Sequence, residues 1–372
     1  KNQFEATIYV ERLAAKVEVA KAATENFVQP VEVGTQKLTF VPEKWALTAT
    51  ENETYLIKNM PAAAPDASTL PWTYNDDVNF RSYWAVSKHY DEASNFPMSG
   101  CDVEDPANEY HLHYLSYNEV NSLGIQFGNT GEGNQMYCME NTGRGSKWNN
   151  AGSSYNQYAT ATSVLITGHY EVTDADGTTA DFGTDGFYIY NNRASNKADL
   201  IAAMAGGQDR VTDADGNAIT DYSKFTVAHI HKYSRLGDTK VPSDRVALQL
   251  GSDLSGLYYK KDADSDPVAI ADANKDEVNT WLAEYANSLA THFVGSKGFF
   301  YVPIEHVGLQ NNEVITGTYG VVRNHFYRMT INKISTLANG IHDLTDPLLP
   351  NPIPSETKSV DITFNVNAWH IM

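Results

Sequence analysis

Two His-x-His pairs, His111/His113 and His229/His231, are the side chains of this sequence best suited to metal chemistry. On a β-strand alternate residues share a face, so each pair would present two imidazoles together, enough for two ligands to zinc or iron. Neither pair has a third ligand at a recognisable offset, and both are read as polar or hydrogen-bonded histidines. Three acidic segments, Asp-Ala-Asp-Gly at 174–177 and at 213–216 and Asp-Ala-Asp-Ser-Asp at 262–266, have the alternating oxygens that open a calcium loop. None continues into the twelve-residue pattern with its sixth-position glycine and terminal glutamate, and hairpin turns are expected instead. No Gly-x-Ser-x-Gly elbow, His-Glu-x-x-His, Walker loop or strand-linked Gly-x-Gly-x-x-Gly is present. Gly143-Arg-Gly145 lacks the lysine and helix start that phosphate binding needs. No catalytic residue, metal or cofactor is therefore assigned, and the chain is read as a non-enzyme.

The chemistry that the sequence does offer is strand pairing. Near the C-terminus Val360, Ile362, Phe364, Val366 and Ala368 alternate with Asp361, Thr363, Asn365 and Asn367. Such alternation gives a strand with one apolar and one polar face, and its nine residues span roughly 30 Å. The approach, residues 346–354, contains four prolines and reads as a semi-rigid extended linker through 359. The residues alone leave two destinations open: the strand returns to its own sheet, or the arm delivers it to another chain.

The elements that would hold this strand are mostly β. Strands are expected at 7–19, with a bulge near Glu11-Arg12, and at 37–41, 163–172, 186–190, 225–233, 246–250, 298–303 and 319–334. Helical spacing joins Val278, Trp281, Leu282, Tyr285, Leu289 and Phe293, with Asn274 and Glu277 as a capping box. A shorter helix is expected at 197–204. Residues 60–160 are aromatic, polar and irregular and receive no assignment. The fold class expected is a mainly β sandwich with long decorated loops and one or two short helices.

Composition bounds the partners. The 372 residues carry 27 basic against 46 acidic side chains, a net charge of -19, which repels nucleic acid and anionic lipid. No apolar run is long enough to span a bilayer. Only Cys101 and Cys138 are present, compatible with one bridge or two free thiols. The chain starts at Lys1 without a signal-peptide pattern, and a processed or trimmed product is expected. The 22 tyrosines, with abundant turn residues, lean toward an extracellular β protein. Aromatic loops between 70 and 160 leave open a second class of function, a surface adhesin or carbohydrate-binding module accessory to a fibre.

Several segments, in order, resemble the Bacteroidales fimbrillins, the type V pilins, and above all the C-terminal domain of the short-fimbria major subunit family. They are Val-Glu-Arg-Leu-Ala-Ala-Lys-Val at 10–17, Tyr-Cys-Met-Glu-Asn-Thr at 137–142 and Thr-Ser-Val-Leu-Ile-Thr-Gly-His-Tyr at 162–170. Phe-Tyr-Val-Pro-Ile at 300–304, Tyr-Gly-Val-Val-Arg-Asn-His-Phe-Tyr-Arg at 319–328 and the strand from 360 to Trp369 complete the set. The resemblance implies a transthyretin-like sandwich, made as a lipoprotein precursor, exported to the outer membrane and used in adhesion and biofilm formation. It implies three regions: a domain at 1–345, a linker at 346–359 and a donor strand at 360–372. Val360, Ile362, Phe364, Val366 and Ala368 would enter a neighbouring subunit's groove, with Trp369 at its rim, a form of β-augmentation. Partners would be neighbouring subunits, minor or tip subunits and host or bacterial surface ligands. Family precursors carry an N-terminal β domain before the segment at 10–17, so this chain is expected to be a fragment or a differently built member.

Overall fold

The computed structural model describes residues 12–58, 87, 112–142, 161–230, 244–262, 265–284, 289–306, 317–349 and 360–368, with side chains of the last segment through Val366. Its first sheet has the order β19-β17-β1-β5, formed by β1 (Ala14–Lys21), β5 (Met136–Met139), β17 (His325–Ile334) and β19 (Val360–Ala368). β1 runs parallel to β17 and antiparallel to β5.

A second sheet runs β18-β16-β6-β3-β2, from β2 (Val31–Val33), β3 (Gln36–Thr48), β6 (Ser163–Thr173), β16 (Lys297–Pro303) and β18 (Asn339–Gly340). The short strands β4 (Ile125–Gln126) and β7 (Thr179–Ala180) extend β3 and β6. The two sheets close over the main core. Ala15, Val17 and Val19 of β1 and Tyr327, Met329 and Ile331 of β17 meet Leu38, Phe40, Val164, Ile166, Phe300 and Val302. The alternation of β1 and β17 follows from their half-buried position, one face inward and one outward. β6 and β16 read instead as continuous apolar runs because both their faces are covered. Phe300 and Val302 enter the main core, while Phe299, Tyr301 and Leu165 pack outward against α1 (Tyr117–Leu123) and Leu348.

A third sheet, β11-β12-β15-β8-β9, combines β8 (Phe187–Tyr190), β9 (Arg193–Ser195), β11 (Phe225–His229), β12 (Arg245–Leu250) and β15 (Leu289–Phe293). With α2 (Lys197–Gly207), α3 (Asp272–Glu284) and a small sheet of β10 (Val211–Thr212), β13 (Tyr258–Tyr259) and β14 (Val268–Ala269), it encloses a second core around Leu200, Phe225, Leu248, Val278 and Leu282. The mainly β class thus holds, with three short helices among the described residues rather than one or two.

The extra helix, α1, lies in the stretch left unassigned. Its seven residues are too few for a legible apolar period, but Ser116 and Glu119 form a reciprocal capping box at its start. At α3 the helical spacing overran. Leu289 and Phe293 belong to β15, where Phe293 stacks on Phe187 at 4.7 Å, so core packing overrides the period there. Asn274 sits inside the first turn and accepts from the Ala271 N–H at 2.8 Å, the returning half of a capping box. β3 contains Pro42 because a bulge leaves Glu43 unpaired in the ladder, and opposite it a Cβ on Gly168 would come within 2.1 Å of the Val41 carbonyl.

Candidate assembly site

β19 pairs antiparallel with β17 from Val360↔Ile334 to Ala368↔His325. β1 occupies the other side of β17, and among the described residues β19 is an edge strand. Of the two destinations the residues left open, the single chain has this strand on its own sheet. Val360 is buried, while Ile362, Phe364 and Val366 lie against the main core with part of their surface open, and Asp361, Thr363 and Asn365 face solvent. The inward surface they meet is that of Tyr327, Met329, Ile331 and Ile334.

Register is fixed by a bulge between Ile331 and Lys333. The extra residue, Asn332, donates from Nδ2 to Thr363 Oγ1 at 2.9 Å and to Asp361 Oδ1 at 3.3 Å. A slip by one residue would turn Ile362 and Phe364 to water, so this polar staple reinforces what the apolar face demands. The linker is not free-standing from its first residue. Leu348 and Leu349 are buried, the Leu348 N–H donates to the Leu115 carbonyl at 2.9 Å, and Pro347 bridges Ser116. Two adjacent leucines bury apolar surface beside α1, which holds 346–349 to the body; residues 350–359 and Trp369 lie outside the described residues.

The receiving strand β17 starts later than its apolar pattern suggested, because Tyr319 and Val321 make isolated bridges to Glu305 and Asn141 and the chain turns at 323–324. Gly320 has φ 133° and Asn324 φ 61°, the second in the left-handed region that asparagine tolerates. Just before that turn, Val321 and Asn141 exchange two backbone hydrogen bonds of 2.9 Å. Arg323, 1 % exposed, donates from Nε to Glu140 Oε1 at 3.2 Å, with Nη2 at the same distance. Its Nη2 also reaches Thr54 Oγ1 at 2.9 Å, and its backbone N–H donates to Glu140 Oε2 at 3.2 Å. Burial pushes the Glu140 carboxyl above its usual range, and Arg323 and Lys58 oppose that shift.

Beside this pair, Tyr327 Oη accepts from the Val322 N–H at 2.7 Å and lies 2.8 Å from His306 Nδ1. The Tyr327 hydroxyl keeps a second lone pair as well as its own hydrogen, so it accommodates either tautomer of His306. Burial, with His325 and Lys58 nearby, drives its pKa down to about 3. His325 Nδ1 faces the Arg323 carbonyl at 2.8 Å and therefore donates. Three of the segments that carry the resemblance thus converge: Asn141 bonds Val321 and also Thr162 Oγ1 at 3.1 Å. A charged residue inside an apolar run, Val-Val-Arg-Asn-His, was the available signal for a buried ion pair; its partner Glu140 had none.

The other candidates scatter. His113 is half exposed with Glu119 Oε1 at 3.7 Å from its Nε2, and His229 stacks on His342 at 4.2 Å; His111 and His231 lie outside the described residues. The Asp-Ala-Asp-Gly segments are turns. Gly177 and Gly216 have φ 86° and 80°, and Asp213 Oδ1 accepts from the N–H groups of Asp215 and Asn217. Ser265 Oγ donates to Asp262 Oδ1 at 2.6 Å. Among the described residues no three acidic, cysteine or histidine side chains are grouped to hold a metal, and no helix is long and apolar enough to cross a membrane. Cys138 is a buried free thiol whose pKa burial raises to about 12. Cys101, Gly143-Arg-Gly145 and much of 70–160 lie outside the described residues.

No curated protein matches the chain. Residues 291–372, which contain β16 to β19 and so both partners of the terminal strand pair, match the family model described as major fimbrial subunit protein type IV, fimbrillin, C-terminal. That match supports a structural subunit of a fimbria, with the cell-surface location and the assembly with other subunits that this family implies.

Proposed function

We propose that this protein is a type V fimbrial subunit of the Bacteroidales kind, which polymerises when β19 of one copy replaces β19 on β17 of the next. The observation that carries the proposal is the position of β19. Among the described residues it is an edge strand, attached by one ladder and one face, with three of its four described inward side chains only partly covered. The linker between Leu349 and Val360 is rich in proline, a composition suited to an extended arm. Exchange needs no new surface, since the groove that accepts the strand within one chain is the groove offered to another. On this reading the domain ends near 345, 346–359 is the tether, and Val360, Ile362, Phe364, Val366 and Ala368 are the donor residues, with Trp369 beyond them. Export to the outer membrane as a lipoprotein precursor, adhesion and biofilm formation belong to the same reading.

Fully burying each aliphatic or aromatic donor side chain contributes about 1.5–3 kcal/mol, so a carboxylate at two of these positions removes the driving force. The double variant Ile362→Asp/Phe364→Asp is expected to stay folded as a monomer, because the rest of the main core does not depend on β19. It is expected to form no fibres under conditions in which the parent protein assembles. Electron micrographs with normal fibres from the variant would overturn the proposal.

A further inference from the structure

A second polar cluster, built on other residues than the strand pair's anchor, has no part in that proposal. It lies where the third sheet meets the segment 339–343, just before the linker. His292 of β15 places Nδ1 2.8 Å from Nδ1 of His342, and its Nε2 2.8 Å from the Asp185 carbonyl. The His342 ring lies parallel to that of His229 of β11 at 4.2 Å, and His292 stacks on Tyr188 at 4.1 Å. Around them Asp244, buried at the start of β12, accepts from the Gly340 N–H at 2.9 Å through Oδ2, and its carbonyl accepts from the His292 N–H. The Val294 N–H donates to the Ile341 carbonyl at 2.8 Å. These bonds fasten 340–342 to the third sheet.

Proton positions follow from the partners. A carbonyl only accepts, so His292 Nε2 carries a hydrogen. Between the two Nδ1 atoms there is room for one hydrogen. With neutral His292 it belongs to His342, which donates to a bare His292 Nδ1. A single proton taken up by the pair leaves this bond intact, because one of the two Nδ1 atoms stays bare. A second leaves both Nδ1 atoms protonated, sets two N–H groups face to face and breaks it, and a protonated His229 opposes positive charge on the pair.

We propose that His229, His292 and His342 form an acid-labile latch that holds the segment 339–343, from which the linker departs, against the third sheet. Charged groups among the described residues act on its setting. Asp185, Asp244 and Asp343 favour protonated imidazoles, while Lys197 of α2 and Arg245, whose Nε is 3.6 Å from Asp244 Oδ1, oppose them. Burial holds His292 below the ordinary histidine range and Asp244 above the ordinary carboxylate range, so acid both charges the imidazoles and neutralises the carboxylate that accepts from the Gly340 N–H.

The test is amide hydrogen exchange of the intact chain at pH 7.5 and pH 5, corrected for the intrinsic pH dependence of exchange. In the parent protein, amides of 339–343 and of His292 and Val294 are expected to lose protection about tenfold or more at pH 5, while the β17–β19 amides do not change. In His342→Phe, which keeps a ring against His229 but cannot titrate, the pH dependence of this segment is expected to vanish. Should that variant fail to fold, His229→Phe keeps the His292–His342 bond and removes only the stacked charge, so release is expected to shift to higher pH. Equal protection at both pH values, loss of protection spread evenly over all sheets, or an unshifted release in His229→Phe would each overturn the proposal.

Discussion

Replacing Arg323 with methionine is expected to destabilise the protein strongly without touching any surface. The guanidinium is 1 % exposed and the Glu140 carboxylate 2 %, with Nε and Nη2 each 3.2 Å from Oε1. Methionine of similar length fills the space but leaves Glu140, among the described residues, with Lys58 and one backbone N–H for compensation. Removing one partner of a buried pair costs about 3–5 kcal/mol, a large part of the roughly 5–15 kcal/mol that holds a domain together. For a chain of 372 residues that corresponds to a fall in Tm of about 4–6 °C. The pH dependence supplies an internal check. Without Arg323 the Glu140 carboxyl rises further above its unfolded value, so the folded state binds the extra proton, and stability contributed by that proton is lost as pH rises. The deficit of Arg323→Met is therefore expected to be larger at pH 8 than at pH 5. The double variant Glu140→Leu/Arg323→Met, with both charges gone, is expected to recover most of the loss. Calorimetry or urea denaturation of the two variants measures all three. A single variant within 2 °C of the parent, or a double variant no better than the single, would refute the role given to this pair.

His306, neutral with its pKa driven down to about 3, binds its proton less readily than in the unfolded chain, where the ordinary value is near 6.5. Stability is therefore expected to fall as pH drops from about 6.5 toward 3, and His306→Asn is expected to flatten that slope in urea denaturation while lowering stability at pH 7.5. Gly168→Ala is expected to destabilise by more than the glycine-to-alanine gain usual in strands, because its Cβ would meet the Val41 carbonyl at 2.1 Å; an unchanged urea midpoint would contradict the bulge packing described for β3.

Legibility in the sequence followed the physics of each element. β6, β12, β16 and β19 could be read to within a residue or two, since apolar alternation or a continuous apolar run leaves little choice once a face is buried. The Asp-Gly turns were legible for the same reason: few residues accept positive φ. α1 was not, because two turns of helix held by one capping box leave almost no periodic signal. The end of α3 was misjudged because Leu289 and Phe293 serve a strand at helical spacing by coincidence. At the candidate site the inward face of β19 was readable at Val360, Ile362, Phe364 and Val366. The accepting side was not: Tyr327, Met329 and Ile331 look like any buried strand, and neither Asn332's reach to Thr363 nor the Glu140–Arg323 pair, 183 positions apart, is encoded locally. The block at 319–328 singled out by resemblance proves to be the device that anchors the accepting strand.

The most direct measurement asks whose β19 lies on whose β17. Thr330 and Thr363 face each other across the pair on its outer side, a spacing suited to a disulfide. In a Thr330→Cys/Thr363→Cys/Cys101→Ser protein, Cys138 stays inert, because burial holds its thiol at about 12. After assembly and oxidation, exchange predicts that boiled, unreduced fibres run as a ladder of covalent multiples of the chain, collapsing to monomer on reduction. Fibres that dissolve into single chains, each closed by its own disulfide, would show that the strand never leaves home and would contradict the account.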